Sequence, residues 1–207
     1  MNLTTDSFAA DGPIPAEFAL GVPHPDSHIT LGPNKNPAFS WSELPAGARS
    51  LVLVCHDRDV PSRGDDVNQE GRTVPADLPR VDFFHWTLVD LSPEKSGIAA
   101  GEFSEGVTPR GKPGPSGPGG TRQGLNSYRF AGDADMEGDY FGYDGPCPPW
   151  NDEIVHHYTF TLYALDVERC PIKGTFRAPQ ILEAIRGHVL EQASVCVIYS
   201  LNTDVPA

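Results

Sequence analysis

The sequence has few basic residues. Its 15 Lys and Arg are outnumbered by 28 Asp and Glu, which gives a formal net charge of -13. Nucleic acids and anionic membrane surfaces are both held mainly by clustered Lys and Arg. We therefore expect neither as a partner, and we interpret the acidic surface as a solvated one that keeps the protein soluble.

Long apolar runs are also missing. No stretch approaches the roughly 20 apolar residues that a membrane-spanning helix needs. Residues 1–18, MNLTTDSFAADGPIPAEF, have neither a basic start nor an apolar run, so they do not resemble a secretory signal. These patterns predict a cytoplasmic protein without integral membrane association.

Cysteine is scarce, and the chain lacks common catalytic motifs. The cysteines Cys55, Cys147, Cys170 and Cys196 form no C-x-x-C pair of the kind that binds metals. Cys55 and Cys196 lie in apolar runs and are expected to be buried thiols, whereas Cys147 lies in a loop. The sequence contains no G-x-S-x-G, no H-E-x-x-H and no phosphate-binding glycine motif, so it indicates no cofactor.

Turn-forming residues are abundant instead. Gly and Pro contribute 21 residues each to a chain of 207. This excess argues against a helical bundle and indicates many turns and long ordered loops. The length suits one domain, 1–207, which is large enough to bury a core without disulfides.

Four segments predict β-strands. The run 51–55, LVLVC, is continuously apolar, which is typical of a strand covered on both faces. The segments 83–91, 158–165 and 194–201 are rich in aromatic and branched residues. Apolar residues recur at helical spacing in 178–193, APQILEAIRGHVLEQA. Many short strands and a late helix predict a mainly β, sandwich-like domain.

Two segments lack any periodicity. We place long inserted loops at about 63–82 and 104–144, the second of which contains GKPGPSGPGGTRQG. Structureless loops of this length are usually functional or disordered. Aromatic residues scattered through the second loop predict that it folds onto the body of the protein.

Polar side chains cluster near the ends of the predicted strands. Singly, each has an ordinary explanation, because Asp favours turns and a lone histidine is often a core residue. Together, carboxylates at one strand end and histidines in two other strands predict a polar pocket. These clusters are 57–62, His85, and 145–150 followed by 156–158.

The order of these motifs resembles one known family. D-x-D-x-P-S is followed by H-W, then by G-P-C-P-P, then by H-x-Y-x-F-x-L-Y-A-L-D. This order is similar to that of the phosphatidylethanolamine-binding proteins, also called Raf-kinase-inhibitor-like proteins, and most of all to their bacterial branch. The segment 37–42, PAFSWS, resembles the family's S-P-P-L-S-W stretch. The resemblance covers roughly residues 12–202.

The resemblance implies a large antiparallel sheet packed on a smaller one, with a peripheral C-terminal helix. It also implies a pocket that binds phosphate-like anions or phospholipid head groups. By motif position, its ligand-binding residues fall on Asp57, Asp59, His85, Gly145, Pro148, Pro149, His156 and Tyr158. The expected function is therefore binding of a small anionic or zwitterionic phospho-ligand, with a regulatory role open and no enzymatic activity. A carboxylate paired with His85 would favour the imidazolium, whose other nitrogen could donate to a phosphate oxygen.

Two features depart from the family pattern, and a third concerns the backbone geometry. Arg58 stands where the family usually has proline between the two acids, and we expect it to add a cation beside the pocket, where it either assists an anion or faces solvent. The two long loops are expected to cover or narrow the pocket mouth. Val60–Pro61 is a candidate cis peptide, because a tight turn after a strand often needs one.

Three alternatives stay open. The His and Asp pocket could perform acid–base hydrolysis. Metal could be held by the pocket, or calcium by the acidic segment 133–144, in which Asp144 takes the place of the usual glutamate. The protein could act through protein partners or as a homodimer, although no residue pattern locates such an interface.

Overall fold

The computed structural model describes residues 1–205 and 207. Within this part the chain forms ten strands and one α-helix, joined by long ordered loops. In chain order these elements are β1 (Asn2–Thr4), β2 (Gly21–His24), β3 (His28–Leu31), β4 (Phe39–Ser42), β5 (Ser50–Pro61), β6 (Arg80–Leu91), β7 (Gly97–Ile98), β8 (Arg122–Gln123), β9 (His156–Leu165), α1 (Ala178–Ala184) and β10 (Val189–Tyr199).

The strands form a large antiparallel sheet and two smaller ones. The large sheet has the order β10-β9-β5-β6-β8, a three-stranded sheet has the order β1-β4-β7, and β2 and β3 form a hairpin. At the centre of the large sheet Cys55 lies opposite Phe160 of β9 and Trp86 of β6. The predicted mainly β fold, with a large sheet packed on a smaller one, is confirmed.

Strand β5 is covered on both faces, as its apolar run predicted. Leu51 and Leu53 pack toward the three-stranded sheet, where they join Phe39. Val52 and Val54 point the other way, because side chains alternate along a strand, and they pack with Ile181 of α1. Each such fully buried side chain stabilises the fold by roughly 1.5–3 kcal/mol.

The predicted late helix is shorter than the sequence pattern indicated. Helix α1 ends at Ala184, and Val189 already belongs to β10, where it lies opposite Leu165 of β9. The prediction of helix up to 193 was therefore wrong for its last part. Pairing with β9 outweighs the local helical pattern there, because helix propensity is a weak preference that tertiary contacts override.

The long loops are ordered against the body. Tyr140 and Tyr143, from the second predicted loop, are almost completely buried. The first loop is shorter than predicted, since β6 begins at Arg80 and continues β5's pairing. The predicted cis bond at Val60–Pro61 was wrong, and the cis peptide in the described residues is Gly114–Pro115.

Helices contribute little to the described chain. Helix α1 has seven residues and packs beside the large sheet, which agrees with the predicted peripheral position. No helix within residues 1–205 is long and apolar enough to span a bilayer.

Candidate functional site

A cavity of about 340 Å³ opens at one end of the large sheet. The end of β5 and the beginnings of β6 and β9 meet there, because antiparallel neighbours bring these ends to the same edge. Six of the eight predicted site residues line this cavity: Asp57, His85, Pro148, Pro149, His156 and Tyr158. Asp59 and Gly145 lie outside its lining.

His85 is buried in the cavity wall with one free ring nitrogen. Its Nδ1 lies 2.9 Å from the carbonyl oxygen of Asp144, while its Nε2 is buried and has no hydrogen-bond partner. Burial lowers the pKa of His85, and this outweighs the opposing effect of the Asp57 charge. The ring is therefore neutral near pH 7, with the proton on Nδ1 and a lone pair on Nε2.

The expected carboxylate–imidazolium pair forms at a different histidine. His156 places Nδ1 2.8 Å from Asp57 Oδ2 and Nε2 3.2 Å from Asp152 Oδ2. Burial alone would lower the pKa of His156, but the hydrogen bonds to Asp152 and Asp57 raise it to about 9. His156 is thus an imidazolium at neutral pH, and both of its N–H groups are engaged by carboxylates.

The charge chain continues behind His156. Asp152 accepts a bidentate pair from Arg80, at 2.6 and 3.0 Å. Burial would raise the pKa of Asp152, but the hydrogen bonds from His156 and Arg80 outweigh it and hold the pKa low. Arg80, Asp152, His156 and Asp57 therefore form a chain of alternating charges that sum to zero, and of these four residues Asp57 and His156 line the cavity.

Asp57 and Asp59 have different places although they are two residues apart. Asp57 is buried, and its Oδ1 accepts a hydrogen bond from the backbone N–H of Asp59 at 2.7 Å. Asp59 instead accepts from the backbone and ring N–H groups of His157, at 2.8 and 2.9 Å. The pairing of β5 with β6 shifts register between Asp57 and Val60, and this bulge breaks the same-face relationship of the two acids.

Gly145 supports the cavity wall from behind. Its N–H donates to Asn34 Oδ1 at 2.8 Å, and a Cβ at this position would lie 2.1 Å from the carbonyl oxygen of Phe18. Glycine is therefore needed for close packing of the 145–149 loop on the N-terminal segment. Pro148 and Pro149, at the other end of the loop, line the cavity.

Cys147 and two tyrosines complete the inner wall. Cys147, Tyr128 and Tyr158 all line the cavity, and the Tyr128 hydroxyl donates to the carbonyl of Gly145 at 2.8 Å. Burial raises the pKa of the Cys147 thiol to about 11. The thiol is therefore protonated at neutral pH and is a weak nucleophile.

The loop between β5 and β6 forms the mouth of the cavity. It contributes Ser62, Arg63 and Asn68 to the lining, while the expectation that it narrows the pocket stays a prediction. Asn151 holds it in place, since its Nδ2 donates to the carbonyl of Asp66 at 2.8 Å and its Oδ1 accepts from the Asn68 N–H at 2.9 Å.

The cation at this mouth is Arg63 and not Arg58. Arg58 is exposed on the opposite face of the sheet, where it lines a separate depression with His56. The expectation that Arg58 lies beside the pocket was wrong, because neighbouring residues on a strand point to opposite faces. The alternative that Arg58 faces solvent agrees with its exposure. Arg63 is exposed, and within the described chain its side chain has no ion pair or hydrogen bond.

The acidic segment does not gather its carboxylates. Asp144 is buried away from the exposed turn that holds Asp133 and Asp135, and it accepts hydrogen bonds from Asn34 and Lys112 at 2.7 and 3.0 Å. It is therefore unavailable as the last ligand of a calcium loop. Residues 1–205 and 207 contain no group of three or more His, Cys, Asp or Glu arranged to hold a metal.

Comparison with known proteins identifies the family. The model of the phosphatidylethanolamine-binding protein family matches residues 4–200. A UPF0098 protein of Methanothermobacter thermautotrophicus is 31% identical over 199 residues, covering 96% of this chain and 98% of the relative. A UPF0098 protein of Chlamydia trachomatis is 32% identical over 182 residues, covering 88% and 93%.

Solved structures agree with this assignment. The crystal structure of Escherichia coli YbcL, described as a member of the mammalian PEBP family, superimposes with a TM-score of 0.68 at 20% identity, covering 96% of each chain. The Chlamydia trachomatis homologue CT736 gives a TM-score of 0.62 at 29% identity, covering 96% of this chain and 95% of that one. The chain belongs to the phosphatidylethanolamine-binding protein family and resembles its bacterial members, as the order of its motifs predicted.

Proposed function

We propose that the cavity binds a small phospho-ligand, either a phosphate-like anion or the head group of a phospholipid. The observation that carries this proposal is the unpartnered, buried Nε2 of His85 beside Asp57 in a 340 Å³ cavity. A buried polar atom without a partner costs about 1–3 kcal/mol. A ligand that hydrogen-bonds to Nε2 would offset this cost.

The size of the cavity favours a head group over an intact lipid. Small-molecule sites usually occupy about 300–1,000 Å³, and 340 Å³ lies at the lower end of that range. The mouth loop is fixed by Asn151, which limits widening. The proposed ligand is therefore phosphate or a compact zwitterion such as O-phosphoethanolamine.

The charges of the site favour a ligand that donates a hydrogen bond to the protein. The imidazolium of His156 uses both N–H groups on carboxylates, so it does not donate to the ligand. The neutral ring of His85 accepts a hydrogen bond at Nε2 from a protonated phosphate or an ammonium group. A fully ionised phosphate only accepts hydrogen bonds. Its binding would have to raise the pKa of His85, so that the His85 ring takes up a proton and donates from Nε2.

We propose binding without turnover. Hydrolysis needs a group that moves a proton and is within reach of a nucleophile. His156 has no free ring nitrogen, and among the described residues no nucleophile is hydrogen-bonded to Nε2 of His85. Burial raises the pKa of the Cys147 thiol to about 11, so the thiol is protonated at neutral pH and does not supply a thiolate nucleophile.

Calorimetric titration of O-phosphoethanolamine into wild type and His85→Ala tests the proposal. We expect the substitution to weaken binding roughly 10-fold to 100-fold, the loss of one hydrogen bond to a charged ligand. His188→Ala, in the turn between α1 and β10, is the control and should bind as wild type does. Equal affinities of wild type and His85→Ala, or no binding at all, would contradict the proposal.

A further inference from the structure

A buried ion pair lies behind the cavity wall, and neither of its two residues belongs to the cavity lining. Lys112 Nζ lies 3.0 Å from Asp144 Oδ1, and the two side chains are 14% and 2% exposed. Burying two charges costs several kcal/mol of desolvation, so such a pair is weak evidence for a stabilising role. Its position next to the 145–149 loop suggests a role in the site.

The pair belongs to a network that fixes the peptide of Asp144. The Asp144 carboxylate also accepts hydrogen bonds from Asn34 and Asn126, both at 2.7 Å. Lys112 donates in addition to the carbonyl of Tyr143, so its one ammonium group holds two consecutive residues. With both carboxylate oxygens occupied, the backbone at Asp144 has little freedom to turn.

The backbone of Asp144 is paired with His85 in both directions. The Asp144 N–H donates to the His85 carbonyl oxygen at 3.1 Å, and the Asp144 carbonyl lies 2.9 Å from His85 Nδ1. A carbonyl oxygen only accepts, so this contact requires the ring proton on Nδ1. The hydrogen bond made by one ring nitrogen thereby decides the state of the other.

We propose that Lys112 and Asp144 are positioning residues for ligand binding. Their ion pair fixes the Asp144 carbonyl, which keeps the His85 proton on Nδ1 and leaves Nε2 as the acceptor for the ligand. This inference rests on the proposed function of the cavity. It gives the long segment before the 145–149 loop a role in the site, and it defines the ligand as one that presents a hydrogen-bond donor to Nε2.

Substitution of Lys112→Met tests the role of the pair. In nitrogen-15 NMR spectra of the full chain, wild type should show His85 as the Nδ1–H tautomer. Lys112→Met should show a mixture of His85 tautomers and bind O-phosphoethanolamine about 10-fold more weakly. This factor is the lower end of the effect seen when the hydrogen-bond partner of a metal-binding histidine is removed. Lys95→Met, which removes an exposed lysine paired with Glu102, is the matched control and should change neither.

A double variant separates positioning from stability. Lys112→Met leaves the Asp144 charge buried and unpaired, so part of its effect could be loss of folding. Lys112→Met with Asp144→Asn has no unpaired charge and should regain stability, while the His85 tautomers stay mixed and binding stays weak. If tautomer and affinity return together with stability, the pair is only structural and the inference fails.

The outcomes also separate this inference from the proposed function. If wild type binds O-phosphoethanolamine and His85→Ala does not, the proposed function holds. A Lys112→Met protein with the wild-type tautomer and wild-type affinity would then overturn the positioning role alone.

Discussion

At the scale of single residues, His156 is defined by the two carboxylates that hold it. Asp57 and Asp152 each accept one of its N–H groups, and Arg80 balances the second acid. A buried ion that loses its partner costs far more than the pair contributes. The four charges therefore act as one unit, which reaches the cavity at Asp57 and His156.

The raised pKa of His156 makes stability depend on pH. A histidine whose folded pKa lies above its unfolded value, here about 9 against 6.5, stabilises the fold fully below pH 6.5. This contribution is lost as the pH rises from about 6.5 through 9, and its size is on the order of 3 kcal/mol. Urea unfolding at pH 6 to pH 9.5 should show this decline in wild type.

The decline in the free energy of unfolding with pH should be compared between wild type and His156→Gln. Buried thiols such as Cys147 also favour the fold less at high pH, because their pKa is raised. The difference between wild type and His156→Gln isolates the histidine, and it should shrink as the pH rises from about 6.5 to 9. A difference that stays constant over this range would contradict the charge assignment.

Arg63 should determine how well the site holds an anionic ligand. It is an exposed cation in the lining of the mouth, whereas Arg58 is an exposed cation on the opposite face. Arg63→Gln should weaken O-phosphoethanolamine binding about 3-fold to 5-fold at low salt, which is roughly 1 kcal/mol, and less at high salt. Arg58→Gln changes the net charge equally and should bind as wild type does. Equal losses in both variants would indicate a general charge effect.

The sequence predicted only part of this site. Asp57, His85 and His156 were identified through the order of family motifs, and the cavity brings them together. Arg80 and Asp152 were missed, because they are 72 positions apart in the sequence and pair only through the fold. No local spacing or composition marks such a pair in a single sequence.

At the scale of elements, the bulge in β5 decides which acid reaches the cavity. Asp57 and Asp59 would share a face of a regular strand, but the register shift before Val60 separates them. The continuous apolar run 51–55 predicted β5, and the aromatic and branched residues of 158–165 predicted β9, because both strands are buried in the large sheet. Local pattern is informative for such strands. It could not predict the bulge or the end of α1, because both depend on pairing with distant strands.

The 145–149 loop should tolerate no side chain at its first residue. A Cβ on Gly145 would lie 2.1 Å from the backbone oxygen of Phe18, so Gly145→Ala must move the loop or the N-terminal segment. We expect a loss of about 1–3 kcal/mol in urea unfolding, together with weaker ligand binding. Gly187→Ala has open space around its Cβ and serves as the control. Wild-type stability of Gly145→Ala would contradict the packing described.

At the scale of the whole molecule, one core on each face of the large sheet joins distant parts of the chain. Phe8 near the N-terminus and Leu201 near the C-terminus belong to the same buried cluster. We propose that residues 1–207 fold as one domain, with the long loops included. Urea unfolding followed by tryptophan fluorescence and by far-ultraviolet circular dichroism should then give one coincident transition. Two separate transitions would contradict a single domain.

The most direct test of the account is a crystal structure grown with O-phosphoethanolamine. The account predicts an ordered ligand in the cavity of Asp57 and His85, with a phosphate oxygen or the ammonium nitrogen within about 3.2 Å of His85 Nε2. Side chains closing over the cavity, or a ligand bound elsewhere while Nε2 stays without a partner, would contradict it.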